Sequence, residues 1–414
     1  MDRNDEILLE LIRRSQFDGA AGGTGAPETP ASESGAGGGA DARAKVLPDI
    51  PSENETGLWD AVCKEAAAQS VAGLIAEFIP KAYLAQNPKL QESIYMRVAG
   101  YARYMHAQDG LEKLLNENAL PHVTLKGNAA AIYYRDPAAR TMGDIDFQVL
   151  PEDFERTREL LGAAGYTPAP NDEEYIRHVA FDKDGVHFEL HRRFSHEEID
   201  LEDYVVPGIR SAESREIGGH AFSMLPRVAN GLVLLDHMKS HLRSGLGLRQ
   251  VIDWMMFVHA ELDDRFWNDE FSAIASSKAL STLAVVTTRM CQLYLGLDAS
   301  LTWCRGADEE TCRLLMENLL TSGNFGRKQG TGHSVEMVTT AFRREGIFRR
   351  LQKAGEHNWK AYKKHHWLKP FCWFYQIFRY IRQGFSTGRN RKQIKSDLDR
   401  SRERYELLKK LGIS

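Results

Sequence analysis

Residues 125–150 read LKGNAAAIYYRDPAARTMGDIDFQVL, and the last seven of them decide the fold. In DIDFQVL polar and apolar residues alternate strictly. Asp144, Asp146 and Gln148 fall on one face, and Ile145, Phe147 and Val149 on the other. A period of two with one apolar face is a β-strand laid against a core. Upstream, PHVTLKG (121–127) is a short β-rich run ending in glycine, and NAAAIYYR continues it as a helix.

Working outward, PEDFERTRELLGAAGY (151–166) reads as a helix closed by Gly165. HVAFDKDGVHFELHRRF (178–194) reads as a hairpin with its turn at DKDG. In the second strand of that hairpin His187, Glu189 and His191 share one face, and Val186, Phe188 and Leu190 the other. Strand, helix, strand, helix, hairpin makes an α+β core of roughly 75 residues with a small mixed β-sheet, an ordinary domain size. Helical periodicity flanks it on both sides, clearest in GLVLLDHMKSHL (231–242) and LRQVIDWMMFVHA (248–260). The expected partition is a short helix at 1–16, a linker at 17–56 and a helical region at 57–118. An α/β core follows at 119–225, then a helical domain at 226–345 and a basic, aromatic helical region at 346–414.

Within the linker, DGAAGGTGAPETPASESGAGGGADA (18–42) is rich in Gly, Ala, Ser, Pro and Thr and has no aromatic residue. Such a stretch cannot bury enough apolar surface to offset its ordering entropy, so it reads as disordered. The helix before it then reads most simply as a dispensable tail, or else as a tethered docking peptide. The opening MDRNDEILLELIRR carries acids and no uninterrupted apolar run, unlike a signal peptide. No stretch is long and apolar enough to cross a bilayer. Five scattered cysteines without a CxxC pair suit reduced thiols. A cytoplasmic protein is the expectation, and a net charge of -4 argues against a general nucleic-acid binder.

Residues 358–396 break that average. They hold ten Lys or Arg, no Asp or Glu, and a run of aromatics including Trp367, Phe371, Phe374 and Phe378. This suits peripheral docking on an anionic membrane surface or a nucleic-acid backbone. It also suits an amphipathic helix packed on the body with a basic outer face.

The chemistry sits on the alternating strand. Two Asp at i and i+2 place two carboxylates side by side, and these repel unless a divalent cation holds them. Glu189 on a neighbouring strand is a third. Hard oxygen ligands of this kind hold Mg²⁺ (or Mn²⁺) ions about 3.5–4 Å apart in two-metal phosphoryl chemistry. At Lys126-Gly127-Asn128 a strand passes into a helix. There a glycine lets backbone approach a phosphate, and the helix start offers free N–H groups. Lys126 and Arg140 would add positive charge. Plainer readings stand beside these. The three carboxylates could be solvated strand residues, Lys126 could pair with a nearby acid, and Arg140 could anchor its loop to a helix end. His191 could orient a carboxylate. His237 and His241 are i, i+4 but lack the Glu of HExxH, so a packing pair is the simpler reading. Arg249 and Asp253, also i, i+4, read as a helix-surface ion pair.

The succession of LKG, a helix with Tyr, an Arg, DIDFQVL and HFELH resembles the uncharacterised nucleotidyltransferases of the DNA polymerase β superfamily. The likeness is specific over about 121–194. It continues more weakly through HMKSH (237–241) and LRQVIDW (248–254). It implies a nucleotidyltransferase fold, with Asp144 and Asp146 as the paired aspartates and Glu189 as the third carboxylate. It also implies accessory or substrate-lining positions at His191, His241, Arg249 and Asp253. Gly127-Asn128 departs from the Gly-Ser of the wider superfamily. The implied reaction moves a nucleoside monophosphate from an NTP to a hydroxyl of a protein, sugar or small molecule, releasing pyrophosphate. Alternatives are an antitoxin-like binding module on the same fold and a membrane-surface protein tethered by the basic tail.

Overall fold

The computed structural model of the chain describes residues 1–18, 49–169, 178–195, 199–242 and 245–324. Toward the C-terminus it describes 351–352, 355–356, 359, 361–362, 365–386, 403–404 and 406–413. The stretch read as a linker lies outside these residues from 19 to 48, as does much of the basic C-terminal region.

The helices used below are α1 (Arg3–Arg13), α2 (Thr56–Ala68), α3 (Pro88–Glu117), α4 (Gly127–Ala131) and α5 (Phe154–Ala163). They continue with α6 (Glu202–Arg210), α7 (Arg227–Leu242), α8 (Leu248–Glu261), α9 (Ser281–Tyr294), α10 (Glu309–Ser322) and α11 (Cys372–Ser386). Seven strands form one sheet: β1 (His122–Leu125), β2 (Ile145–Val149), β3 (Thr167–Pro168), β4 (His178–Lys183), β5 (Val186–His191), β6 (Glu213–Ile217) and β7 (His220–Met224). Their order is β3-β4-β5-β2-β1-β7-β6. The sheet is mixed: β2 pairs antiparallel with β1 and parallel with β5, and β1 pairs parallel with β7. The fold is therefore α+β, as the sequence pattern implies.

The hairpin read at 178–194 forms β4–β5, with Asp184 and Gly185 both at positive φ (52° and 73°). Two left-handed residues in a two-residue loop match the right-handed twist of the flanking strands. A second hairpin, β6–β7, turns on Gly218 and Gly219 and extends the sheet past β1.

Two cores hold the sheet. Ile145, Phe147 and Val149 of β2 pack with Phe188 and Leu190 of β5 under Tyr104, Leu111 and Leu115 of α3 and Phe154 and Leu161 of α5. Val123 and Leu125 of β1 join the larger core, built by α7, α8, α9 and α10 around Leu235, Ile252 and Trp254.

The N-terminal helix is not a tail. Leu8, Leu11 and Ile12 of α1 are fully buried in the larger core. The helix is closed at its start by a reciprocal cap, in which the Asp5 amide donates to Asp2 at 2.9 Å and the Asp2 amide to Asp5 at 3.1 Å. At its end Arg13 and Arg14 both donate to the buried Glu10. Its apolar spacing is read correctly from sequence as an amphipathic helix. What lies in the groove beneath it is set by helices distant in the chain.

On α11 and the turn before it, Trp367, Phe371, Phe374 and Phe378 are exposed, each more than half accessible, while Cys372 and Gln376 are buried. Phe374 and Phe378, four apart on α11, share one side of that helix. No helix among the described residues is long and apolar enough to cross a membrane.

Candidate active site

The register of the parallel β2–β5 pair sets Asp146 directly beside Glu189, and Gln148 beside His191. On the other side of β2, Leu125 faces Asp146, which brings the end of β1 and Lys126 to the same spot. The strand-to-helix turn there is tight. Lys126 has φ 56° and Gly127 φ 34°. A non-glycine residue in that region carries strain of roughly 1–3 kcal/mol and persists only where the surroundings enforce it. Gly127 is required for a second reason, since a Cβ there would run into the Tyr104 hydroxyl.

The result is a cleft of about 500 Å³ between the sheet and the helical region. Lys126, Gly127, Arg140, Asp144, Asp146, Glu189 and His191 line it from the α/β side. Asp236, His237, Ser240 and His241 of α7 and Arg249 of α8 line it from the helical side. Asp146 is the hub. Lys126 Nζ donates to its Oδ1 at 2.7 Å, and His191 Nε2 lies 2.9 Å from the same oxygen and 3.4 Å from Glu189 Oε2. Burial works against the Asp146 charge, but Lys126 and His191 outweigh it and hold the carboxyl far below the usual range. Burial likewise opposes a charged His191, yet its bonds to Asp146 and Glu189 raise its pKa. Asp144, just before β2 and exposed, is pushed up by partial desolvation and by the charges of Asp146 and Glu189. On the facing wall His237 is pushed well below the ordinary histidine range by burial, then by Lys126, His241 and Arg249. His237 and His241 stand Nε2 to Nε2 at 2.9 Å.

Ligand atoms of Asp146, Glu189 and His191 lie within 4.8 Å of one another, so these three could hold a cation among the described residues. Asp144 borders the same cleft outside that cluster. Two carboxylates and one imidazole are donors that can ligate a divalent ion. Lys126 stands against Asp146 as a cation already, and Asp144 and Glu189 add two more carboxylates to the same cleft. The donor set therefore fits a divalent ion.

Three sequence expectations are revised. Asn128 is fully buried with its amide against the Met105 sulfur, so its side chain does not face the cleft. Asp253 does not pair with Arg249. Arg140 holds it with two bonds, Nε–Oδ1 at 2.7 Å and Nη2–Oδ2 at 2.8 Å, and Tyr134 donates a third at 2.7 Å. Arg140 thus ties its loop to the interior of α8 through Asp253, rather than to a helix end, and its charge is balanced there. Sequence reasoning missed Asp236, His178, Ser70 and Asn324 as lining residues. For Asp236 a signal existed, a lone charge inside the apolar run GLVLLDHM. Ser70 and Asn324 reach the cleft only through tertiary packing.

A family model described as an uncharacterised nucleotidyltransferase matches residues 55–296. The chain belongs to that family. The match spans more than half of the protein and takes in both walls of the cleft, from Lys126 to Arg249. A crystal structure of an antigenic nucleotidyltransferase-like protein from Paracoccidioides brasiliensis is similar at 12% identity and a TM-score of 0.31, over 48% of this chain and 95% of that one. No curated protein matches the chain.

Proposed function

We propose that this family member moves a nucleoside monophosphate from an NTP to a hydroxyl acceptor at the cleft, with release of pyrophosphate. The observation that carries the reading is the pairing of Asp146 with Glu189 on adjacent parallel strands, with Asp144 beside them and Lys126 at the turn. Asp144, Asp146 and Glu189 would hold Mg²⁺ or Mn²⁺, with His191 fixing the orientation of the two inner carboxylates. A bound divalent ion supplies charge neutralisation for the triphosphate and acidifies the acceptor hydroxyl. Asp146, hydrogen-bonded by Lys126 and His191, serves as a ligand, and either Asp146 or Glu189 takes the acceptor proton. Lys126 and the N–H groups at the start of α4 face the phosphates. The helical wall encloses the acceptor.

Titration calorimetry of each common NTP with Mg²⁺, on wild type and on the Asp144→Asn/Asp146→Asn double variant, tests this. Metal-dependent binding that the double variant loses supports the reading. A wild type that binds no NTP overturns it in favour of a non-catalytic binding module.

A second reading concerns the C-terminus and is favoured by the exposed Trp367, Phe371, Phe374 and Phe378, on α11 and the 3-10 turn before it. The four aromatics, set in a segment of ten basic and no acidic residues, suit the headgroup layer of an anionic bilayer. Each basic residue near such a surface contributes about 1 kcal/mol. Co-sedimentation with anionic vesicles should exceed that with neutral ones and fall in Phe374→Ser/Phe378→Ser. Equal sedimentation in all cases would rule out the tether.

A further inference from the structure

Asp253 and Arg249 sit one turn apart on α8, and that spacing would ordinarily pair them. Instead both oxygens of Asp253 are taken by Arg140 and Tyr134. Arg249 is left with one bond, from Nη1 to the Thr141 carbonyl at 3.1 Å. Its Nε is buried without a hydrogen-bond partner, and no carboxylate among the described residues forms an ion pair with it. Its side chain borders the cleft, with Nη1 near the backbone of Gly143, next to Asp144. Burial and the neighbouring Arg140 both weaken its hold on the proton.

A guanidinium with an unused buried donor is costly unless something fills it. Buried charges persist where a partner arrives. The side chain borders a cleft, so the partner open to its terminal N–H groups is a ligand, and its charge is negative. Its chemistry is narrowed by the opposite wall. Asp144, Asp146 and Glu189 repel a bare carboxylate, whereas a phosphate that enters with its own divalent ion is drawn to both walls at once. The planar fork of arginine also matches phosphate oxygens.

We infer that Arg249, acting with Lys126 across the cleft, forms a phosphate-binding subsite, and that Arg140 is the structural arginine of the pair. The inference rests on the transferase reading for its choice of ligand. The phosphate comes either from the triphosphate tail of the NTP or from a phosphorylated acceptor.

The experiment uses the full chain, inorganic tripolyphosphate with Mg²⁺ as probe, and the variants Arg249→Met, Arg249→Lys and Arg140→Met. Wild type should bind the probe. Arg249→Met should lose at least thirtyfold in affinity while melting at or above the wild-type temperature, because it removes an unpaired buried charge. Arg249→Lys should recover part of the binding. Arg140→Met should melt well below wild type, because it strands Asp253. Mg·ATP binding weakened in parallel with the probe assigns the subsite to the triphosphate tail; Mg·ATP binding left intact assigns it to the acceptor. Probe binding by Arg249→Met within twofold of wild type overturns the inference, and so does a melting loss as large as that of Arg140→Met. Wild type that binds tripolyphosphate but no NTP overturns the transferase reading and leaves the subsite standing. Wild type that binds NTP, with Arg249→Met keeping full affinity for tripolyphosphate, does the reverse.

Discussion

Lys126 Nζ lies 2.7 Å from Asp146 Oδ1, so the carboxylate best placed to hold a cation already has one, supplied by the chain. A divalent ion arriving alone must displace that ammonium. One arriving with a triphosphate offers Lys126 a new partner in the phosphates. Removing the lysine should therefore push the two affinities in opposite directions. In Lys126→Met, Mn²⁺ binding without nucleotide should tighten by about tenfold, roughly 1.4 kcal/mol, while Mg·NTP binding weakens. Paramagnetic titration of Mn²⁺ measures the first and calorimetry the second. If both affinities fall together, Lys126 is holding the site in shape rather than competing for it.

Arg140 and Asp253 join the loop before β2 to α8, and both are nearly inaccessible. Breaking a buried pair by removing one partner costs about 3–5 kcal/mol, because the other charge stays behind. Asp253→Asn should lower stability by that order in chemical denaturation, and Arg140→Met should do the same. The double variant Arg140→Met/Asp253→Leu should recover much of the loss. If the single variants instead keep full stability and lose only nucleotide binding, Arg140 belongs to the phosphates after all.

Why this pair was not legible in the sequence is a matter of range. Arg249 and Asp253 have the local spacing that stabilises helices, and nothing local announces that a loop arginine more than a hundred residues away will take the aspartate. The strand carrying Asp146 was legible because alternation with period two is local. So was the β4–β5 hairpin, whose Asp-Gly turn and alternating arms lie within one short stretch. The β6–β7 hairpin carried a weaker local signal, Gly218-Gly219 ahead of the alternating Phe222 and Met224, because its first arm ESREI is almost wholly polar. Its parallel pairing with β1 was beyond reach, since parallel register depends on which edge the intervening helices leave open. Asn128 misled for a different reason. The helix start at Gly127 is real, but the first side chain of α4 points into the core under α3 rather than outward.

The buried α1 makes a sharp test of what the sequence suggested. Leu8, Leu11 and Ile12 face the larger core with no accessible surface. Truncating a buried leucine costs about 2–5 kcal/mol, depending on how far the cavity collapses. Leu8→Ala should lower the denaturation midpoint accordingly, and Leu8→Ala/Leu11→Ala should do so further. Deleting residues 2–18 should expose apolar surface, measurable as increased binding of a hydrophobic dye. A deletion variant with unchanged midpoint and no added dye binding would return α1 to the status of a tail.

His237 gives a pH dependence whose sign can be worked out. Its folded pKa is depressed, chiefly by burial, then by Lys126, His241, Arg249 and Arg140. Asp236 of the same helix also borders the cleft. Below the unfolded value of about 6.5 the unfolded chain takes up a proton that the folded chain refuses, so stability falls as pH falls. The contribution is fully present above that value and is lost at up to about 1.4 kcal/mol per pH unit below it. His191 acts in the opposite sense, because its folded pKa is raised: its contribution is complete below the unfolded value and fades as pH rises through the folded one. Comparing wild type with His237→Gln isolates the first effect. Between pH 7 and pH 5 wild type should lose stability relative to the variant, so the two denaturation midpoints converge or cross on acidification. Parallel curves across that range would mean that His237 accepts its proton in the folded protein as easily as in the unfolded chain, and that the helical wall of the cleft is wetter and less positive than its packing implies.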